Sequence, residues 1–278
     1  RTEAHRKGLF VYFILRNRHF VSPVEILSKD GVSYFYSLLI IGFSLLLLWF
    51  NVRYSKHISH PLIDYSVMKI NSYKVTILTG SVSRMIIGVF PYLVPLMFQE
   101  GFGLNPFESG LLFLSTMVGN LSMKSLTVWI MHRFRFRTIL IVNGCFSALF
   151  TFFTALLMPT TPVYVIVLVL FTAGLFRSLQ FSSLTTLAFT DTPASQTTAA
   201  NTLYSTIQQM STGMGIAMGA VVLRFSNIIN HGIAGHYTIP DFRLAFIFVT
   251  VLGFVHLYGY TKLSKDAGSV VMLKKKIF

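Results

Sequence analysis

Residues Val82 to Arg137 read VSRMIIGVFPYLVPLMFQEGFGLNPFESGLLFLSTMVGNLSMKSLTVWIMHRFRFR, and this stretch decides the class of fold. It holds two apolar runs joined by a short turn and ends in an arginine-rich hairpin. About 20 helical residues, at roughly 1.5 Å each, cover the ~30 Å hydrocarbon core of a bilayer, so two such runs read as two membrane spans. Arg84 lies well inside the first. A cation at that depth costs roughly 2.5 to 3.5 kcal/mol on insertion scales, which calls for a polar cavity or a partner within the protein.

The rest of the chain has the same character. Of 278 residues, 53% are hydrophobic and only 12% are charged, a composition of integral membrane proteins rather than soluble domains. The formal net charge of +14 collects at the ends of apolar runs, the positive-inside pattern, and so does not point to nucleic acid. The single cysteine, Cys145, sits in an apolar run and has no intrachain partner for a disulfide.

The chain opens on Arg1, and RTEAHRK followed by GLFVYFIL is not a secretory signal, so residues 1–31 read as the remnant of a preceding helix and loop of a longer protein. Residues 32–50 make the first complete span, with Trp49 and Tyr54 suited to the interface where it exits. Residues 51–74, with Arg53, Lys56, Lys69 and Lys74, read as a cytoplasmic loop. Six further spans are expected at about 75–98, 108–130, 138–158, 163–187, 199–224 and 243–261, followed by a basic cytoplasmic tail, 262–278.

Loop charges largely alternate as this layout requires: the hairpin HRFRFR and the lysine-rich tail fall inside, while QEGFGLNPF and MPTTP carry no Lys or Arg. AFTDTPASQTT, which should be inside, has no basic residue, and RNRHFVSPVEILSKDG, which should be outside, is basic. No inverted repeat is visible between the halves of the six-span segment, although the architecture is compatible with one.

All nine acidic residues fall in loops or at span ends, so the commonest type of membrane proton carrier is absent from the interior. His256 is the deep titratable exception; a lone histidine there is more often bonded to a neighbouring helix than part of a relay. Arg84 either locks onto backbone carbonyls at a helix junction or faces a cavity, and the cavity is the favoured reading. Arg177 and Gln180 share a helix face, as do Asn201, Ser205 and Gln208; such faces glue helices together or line a polar cavity. Lys124 is close enough to its span's end to snorkel. Gly215 and Gly219 have the small-xxx-small spacing of close helix packing. Pro91 and Pro95 suit either a bending gate or a packed kink.

No nucleotide-binding glycine loop, serine elbow or cofactor motif is present, so no enzyme is expected. His231 and His236 form a weak metal pattern, and the expectation is solvated histidines and no metal site.

Several of these motifs together carry a resemblance. The span with Arg84, Pro91, Pro95 and Leu96 is followed by Gln99, Gly101, Gly103 and Gly110, then the Met123–Lys124 pair, the basic hairpin with Arg133 and Arg137, and QFSS at Gln180 to Ser183. From about Ser33 to Val222 the chain resembles the C-terminal half of a major facilitator superfamily exporter. It is most similar to the fourteen-span drug:proton antiporters of the EmrB/QacA type, in the MdtD-like branch.

The resemblance implies an all-α membrane fold in which residues 75–261 form the C-terminal six-helix bundle and residues 32–50 a linker helix. It further implies proton-coupled multidrug export by alternating access from a bacterial inner membrane, with the C-terminus cytoplasmic. Arg84, Gln180, Gln208, Arg177 and Asn201 become candidates for a substrate cavity, and Pro91, Pro95, Lys124, Arg133 and Arg137 for gating. The implied partners are the lipid bilayer, a small amphipathic or hydrophobic substrate, and an N-terminal bundle missing here. In such exporters that bundle carries the embedded acid, so this half alone is expected not to transport. The hairpin departs from the family pattern in having Arg135 where a glycine is usual, a change expected to stiffen the turn. Two other readings compete: a truncated or decayed membrane protein that only packs against a partner, and a membrane acyl- or phospho-transfer enzyme, which the lack of an embedded acid, nucleophile pair or metal cluster disfavours.

Overall fold

The computed structural model describes residues 65–232, 236–264 and 266–269. The expected span at 32–50, the remnant at 1–31, residues 51–64 of the loop and most of the basic tail lie outside the described residues.

The six apolar runs form six helices: α1 (Asn71–Leu96), α2 (Pro106–Arg133), α3 (Phe136–Ala155), α4 (Val163–Thr190), α5 (Thr197–His231) and α6 (Ile239–Val255). The described residues contain no strand. A π turn, Met97–Gly101, extends α1, and a 3₁₀ stretch, His256–Lys262, extends α6, so that all six are long and apolar enough to cross a membrane.

Local chemistry sets the ends. Asn105 caps α2 reciprocally with Glu108: the Glu108 amide donates to Asn105 Oδ1 at 2.9 Å and the Asn105 amide to Glu108 Oε2 at 3.2 Å. Thr238 and Asp241 form the equivalent box on α6, with Pro240 in its first turn. Gly232 ends α5 with φ +75°, a conformation in which a Cβ would clash. Proline at 91 and 95 removes two amide donors from α1, and the chain then widens into the π turn, where the Phe102 amide reaches back to the Met97 carbonyl at 3.0 Å.

Three boundaries differ from the sequence reading by four residues or more, one of them the start of α6, at Ile239 rather than near 243. Helix α1 begins at Asn71 rather than near 75, its first polar residues Asn71 and Lys74 remaining exposed. Helix α5 continues to His231 rather than stopping near 224, because Ser226 and Asn227, polar enough to suggest a loop, are buried against α6. The hairpin from α2 to α3 does not require glycine at position 135: Arg135 sits at φ −69°, ψ 139°, ordinary extended backbone. Part of the expected tail folds back, the Gly268 amide donating to the Asp191 carboxylate at 3.2 Å and Gly268 packing on Phe136 and Leu187.

Helix α2 packs chiefly on α4 and α1 on α5, while α3 packs on both α4 and α6. Both main seams bring backbones into contact. On α2, Gly119 faces the Phe171 carbonyl of α4, and Gly174 of α4 faces the Thr116 carbonyl of α2. Between α1 and α5, Gly88 faces the Thr212 carbonyl and Gly215 the Met85 carbonyl, while Gly219 lies against Val89 and Tyr92. With lipid tails as apolar as leucine, such close van der Waals contact, rather than hydrophobic burial, holds membrane helices together. The main apolar cluster fills the end of the bundle near the π turn, with Phe90, Leu93, Phe98, Leu170, Phe242 and Phe246 all buried. Most of α2 outside its small-residue stripe, including Leu114, Leu121, Val128 and Trp129, is exposed.

Candidate functional site

The interior of the bundle contains two arginines. Arg84, 1% exposed, lies in the seam between α1 and α5 with its guanidinium 4.6 Å from the centre of the Tyr204 ring. Its Nη1 donates a long bond of 3.4 Å to the Thr76 carbonyl of its own helix, and Nε and Nη2 have no hydrogen-bond partner. Tyr73, three residues before Thr76 on α1, donates its hydroxyl to the Ala200 carbonyl of α5 at 2.7 Å and closes the same seam.

Arg177 on α4 is also buried. Its guanidinium lies over the Phe90 ring, Nη2 donates to Thr151 Oγ1 at 3.3 Å, and Nε and Nη1 are unpartnered. Among the described residues no carboxylate lies within ion-pairing distance of either arginine. A buried cation without a counter-charge bears a desolvation cost of several kcal/mol, so Arg177→Met, which keeps an unbranched apolar stem and removes the charge, should raise stability by about 1 to 4 kcal/mol. Thermal unfolding in detergent checks this; a lower midpoint would show that the contacts to Phe90 and Thr151 outweigh the desolvation.

Gln180, one turn beyond Arg177, turns toward α3. Its Oε1 accepts from Asn143 Nδ2 at 2.8 Å, and Asn143 also donates to the Phe176 carbonyl at 2.8 Å. Gln180 borders a cavity of about 10 Å³ lined as well by Ser83, Ser147 and His256. At the mouth of that cavity Ser83 Oγ lies 2.8 Å from His256 Nε2 and 2.7 Å from the Tyr260 hydroxyl, linking α1 to the last turns of α6.

The structure therefore sorts the five cavity candidates into two places. Arg84, Arg177 and Gln180 lie inside the six-helix unit, each against a neighbouring helix. Asn201 is exposed and Gln208 half-buried on the outer face of α5, where Thr202, Ser205, Thr206 and Gln209 are also exposed. Among the gating candidates, Pro91 is exposed and Pro95 half-buried, the Pro95 carbonyl accepting from Ser109 Oγ of α2 at 2.9 Å. Lys124 and Arg133 are exposed on α2, and Arg137 is half-buried in the first turn of α3.

Three features escaped the sequence reading. Asn143 is a deep polar residue in an apolar run, a signal that was present in the sequence. Ser83 and Tyr260 gave none, since serine and tyrosine are common in membrane helices. Asp241 stands at a span end yet is fully buried, accepting from Asn227 Nδ2 at 2.8 Å, Asn230 Nδ2 at 2.6 Å and both the amide and hydroxyl of Thr238. His231, expected to be solvated, is exposed and also lies 3.0 Å from Thr238 Oγ1 and 3.4 Å from Asp241 Oδ2, because α5 runs on far enough to reach the start of α6.

Six apolar spanning helices, joined by short turns and holding buried polar groups between them, define a multi-pass α-helical membrane protein. Residues 26–216 match the profile described as Major Facilitator Superfamily, and the chain belongs to that family. Among curated relatives it is 29% identical to the "Putative multidrug resistance protein MdtD" of Pectobacterium carotovorum subsp. carotovorum (strain PC1), over 68% of this chain and 40% of that protein. The protein of the same description from Serratia proteamaculans (strain 568) is 28% identical over 59% of this chain and 35% of its own length. That from Escherichia coli O6:H1 is 29% identical over 59% and 35%. The chain thus spans between 35 and 40% of the length of these relatives.

Proposed function

We propose that this chain supplies the C-terminal six-helix half of a proton-coupled exporter of small amphipathic or hydrophobic compounds, working by alternating access against an N-terminal bundle. The observation that carries the reading is the outer face of α5. On a helix long and apolar enough to span the bilayer, Asn201, Thr202, Ser205, Thr206 and Gln209 are exposed in a row, with Gln208 half-buried beside them. Thr202 and Thr206 return their hydroxyls to carbonyls of their own helix, but lipid cannot satisfy the amides of Asn201, Gln208 and Gln209, so the face belongs against a second bundle or a watery substrate path between the two. Family membership and the description of the MdtD relatives as multidrug resistance proteins support the same conclusion.

Behind that face, Tyr204 covers Arg84. Opening the α1–α5 seam would uncover its unpartnered Nε and Nη2, which can then donate to an acceptor on the substrate or on the other bundle. In this reading the proton gradient is the energy source, and the arginines of the α2–α3 hairpin support a cytoplasmic position for that turn and for the C-terminus in a bacterial inner membrane.

Efflux of a lipophilic dye from membrane vesicles tests the reading, with this chain expressed alone and together with the N-terminal bundle of an MdtD-type relative. Export is expected only from the pair, dissipated by an uncoupler and at least tenfold slower with Arg84→Ala. Export by the chain alone would overturn the two-bundle requirement. No export from a pair shown to be folded in the membrane would favour a role confined to packing against a partner.

A further inference from the structure

The cluster where α1 meets the end of α6 has a definite hydrogen-bond direction. His256 Nδ1 lies 3.2 Å from the Leu252 carbonyl, which can only accept, so Nδ1 carries a proton. In the neutral ring Nε2 is then the acceptor, and Ser83 Oγ at 2.8 Å must donate to it. Having given its proton to His256, Ser83 Oγ accepts from the Tyr260 hydroxyl at 2.7 Å. The order Tyr260 to Ser83 to His256 follows from the donor inventory alone.

From this geometry we propose that His256 Nε2 is a proton-binding site, and that filling it reverses the chain across the α1–α6 contact. A proton taken up from water through the adjacent 10 Å³ cavity, which is the size of a single water molecule, adds to the Nε2 lone pair; no other bond breaks. Nε2–H then donates to Ser83 Oγ, Ser83 turns its hydroxyl toward Tyr260, and the Tyr260 proton loses the acceptor it holds. The junction therefore has two states of unequal hydrogen bonding, separated by one proton.

The surrounding charges sharpen this difference. Arg84 on α1 lies over the Tyr204 ring of α5, and Arg177 on α4 turns away to Thr151 and Phe90. Helix α3 contributes Gly144, Ser147 and Ala148 to the cavity and no charged group, Cys145 being exposed on its far side. A protonated His256 thus shares the interior with Arg84 and meets no carboxylate among the described residues. Relief comes from separating α1 from α6, which lets the imidazolium reach water. The inference rests on the proposed exporter only for the role of the proton as coupling ion; proton binding itself is independent of transport.

Side-chain ¹⁵N magnetic resonance of histidine tests it, on the full chain in lipid nanodiscs, with His256→Gln and, separately, His256→Asn identifying the signal. At neutral pH His256 is expected as the Nδ1–H tautomer. On acidification, while the protein remains helical, it should become doubly protonated. Ser83→Ala, which removes the acceptor of the charged Nε2–H, should lower the ratio of protonated to neutral His256 about tenfold at a given acid pH, since a charged donor loses more by it than the neutral ring does. Ser83→Ala cuts the chain, so adding Tyr260→Phe to it should change that ratio no further. An Nε2–H tautomer at neutral pH, absence of protonation in the folded protein, or a ratio indifferent to Ser83→Ala would each overturn the proposal, and none of them would bear on whether the protein exports.

Discussion

Asp241→Ala is expected to lower the thermal unfolding midpoint of the detergent-solubilised protein by roughly 10 °C, equivalent to about 3 to 5 kcal/mol. The carboxylate is wholly buried and is the common acceptor for Asn227, Asn230 and both donors of Thr238. Removing it deprives several donors at once, and for each buried one the loss includes the desolvation that water no longer offsets. It also deletes half of the α6 capping box. The damage should be local, at the α5–α6 joint, so proteolysis between residues 231 and 239 should accelerate before the other connections are cut. Asp241→Asn can keep an oxygen for Asn227 and Thr238 but then turns its amide toward the Asn230 donor, so it should fall between the parent and Asp241→Ala. Equal midpoints for all three would show that the network contributes nothing measurable.

Gly174→Val is the second large effect, expected to cost about 3 kcal/mol and to release α2. At this crossing the two backbones are in contact twice, Gly174 against the Thr116 carbonyl and Gly119 against that of Phe171. A side chain at either position overlaps main chain, which cannot yield as the end of a flexible side chain can. Because α2 is buried along only a narrow stripe of Ser109, Thr116, Gly119, Met123, Thr127 and Met131, it has little other contact to compensate. Cysteines placed at Asn120 and Ser178, whose hydroxyl donates to the Asn120 carbonyl at 2.8 Å in the parent, should cross-link only while the seam is closed. Gly213→Ala serves as control: a Cβ there meets nothing among the described residues, and the midpoint should not fall. Unchanged cross-linking in Gly174→Val would contradict the close approach.

Much of the fold was legible because insertion into a bilayer imposes a one-dimensional rule. Each apolar run of sufficient length becomes a helix, and the Asn105, Gly232 and Thr238 signals mark where helices stop or start. The rule fails where polarity is satisfied by another helix rather than by water. That is why the end of α5 extended beyond its expected limit: Ser226 donates to the Asp241 carbonyl at 3.0 Å, a partner fifteen residues away that no local pattern reveals.

The candidate site was legible only as an inventory. Arg84, Arg177, Gln180, Asn201 and Gln208 stand out as costly in a membrane, and cost identifies them without saying where they point. Arg177 and Gln180 share a face of α4, yet one lies over Phe90 of α1 and the other bonds Asn143 of α3. Long side chains three residues apart diverge by enough to reach different neighbours. His256 has its partner on a neighbouring helix, as a solitary buried histidine usually does, but that partner, Ser83, is 173 residues away.

The sequence by itself determined the membrane class, the six spanning runs, their order and the family, because each depends on length, hydropathy and motif order along one chain. Only the tertiary structure decided which polar groups meet. That outcome depends on the rotation of each helix about its axis and on the depth at which it crosses its neighbours. Both are set where glycines meet the facing main chain, Gly119 at Phe171 and Gly174 at Thr116, Gly88 at Thr212 and Gly215 at Met85, and a shift of one residue at the α1–α5 seam would turn Arg84 away from Tyr204.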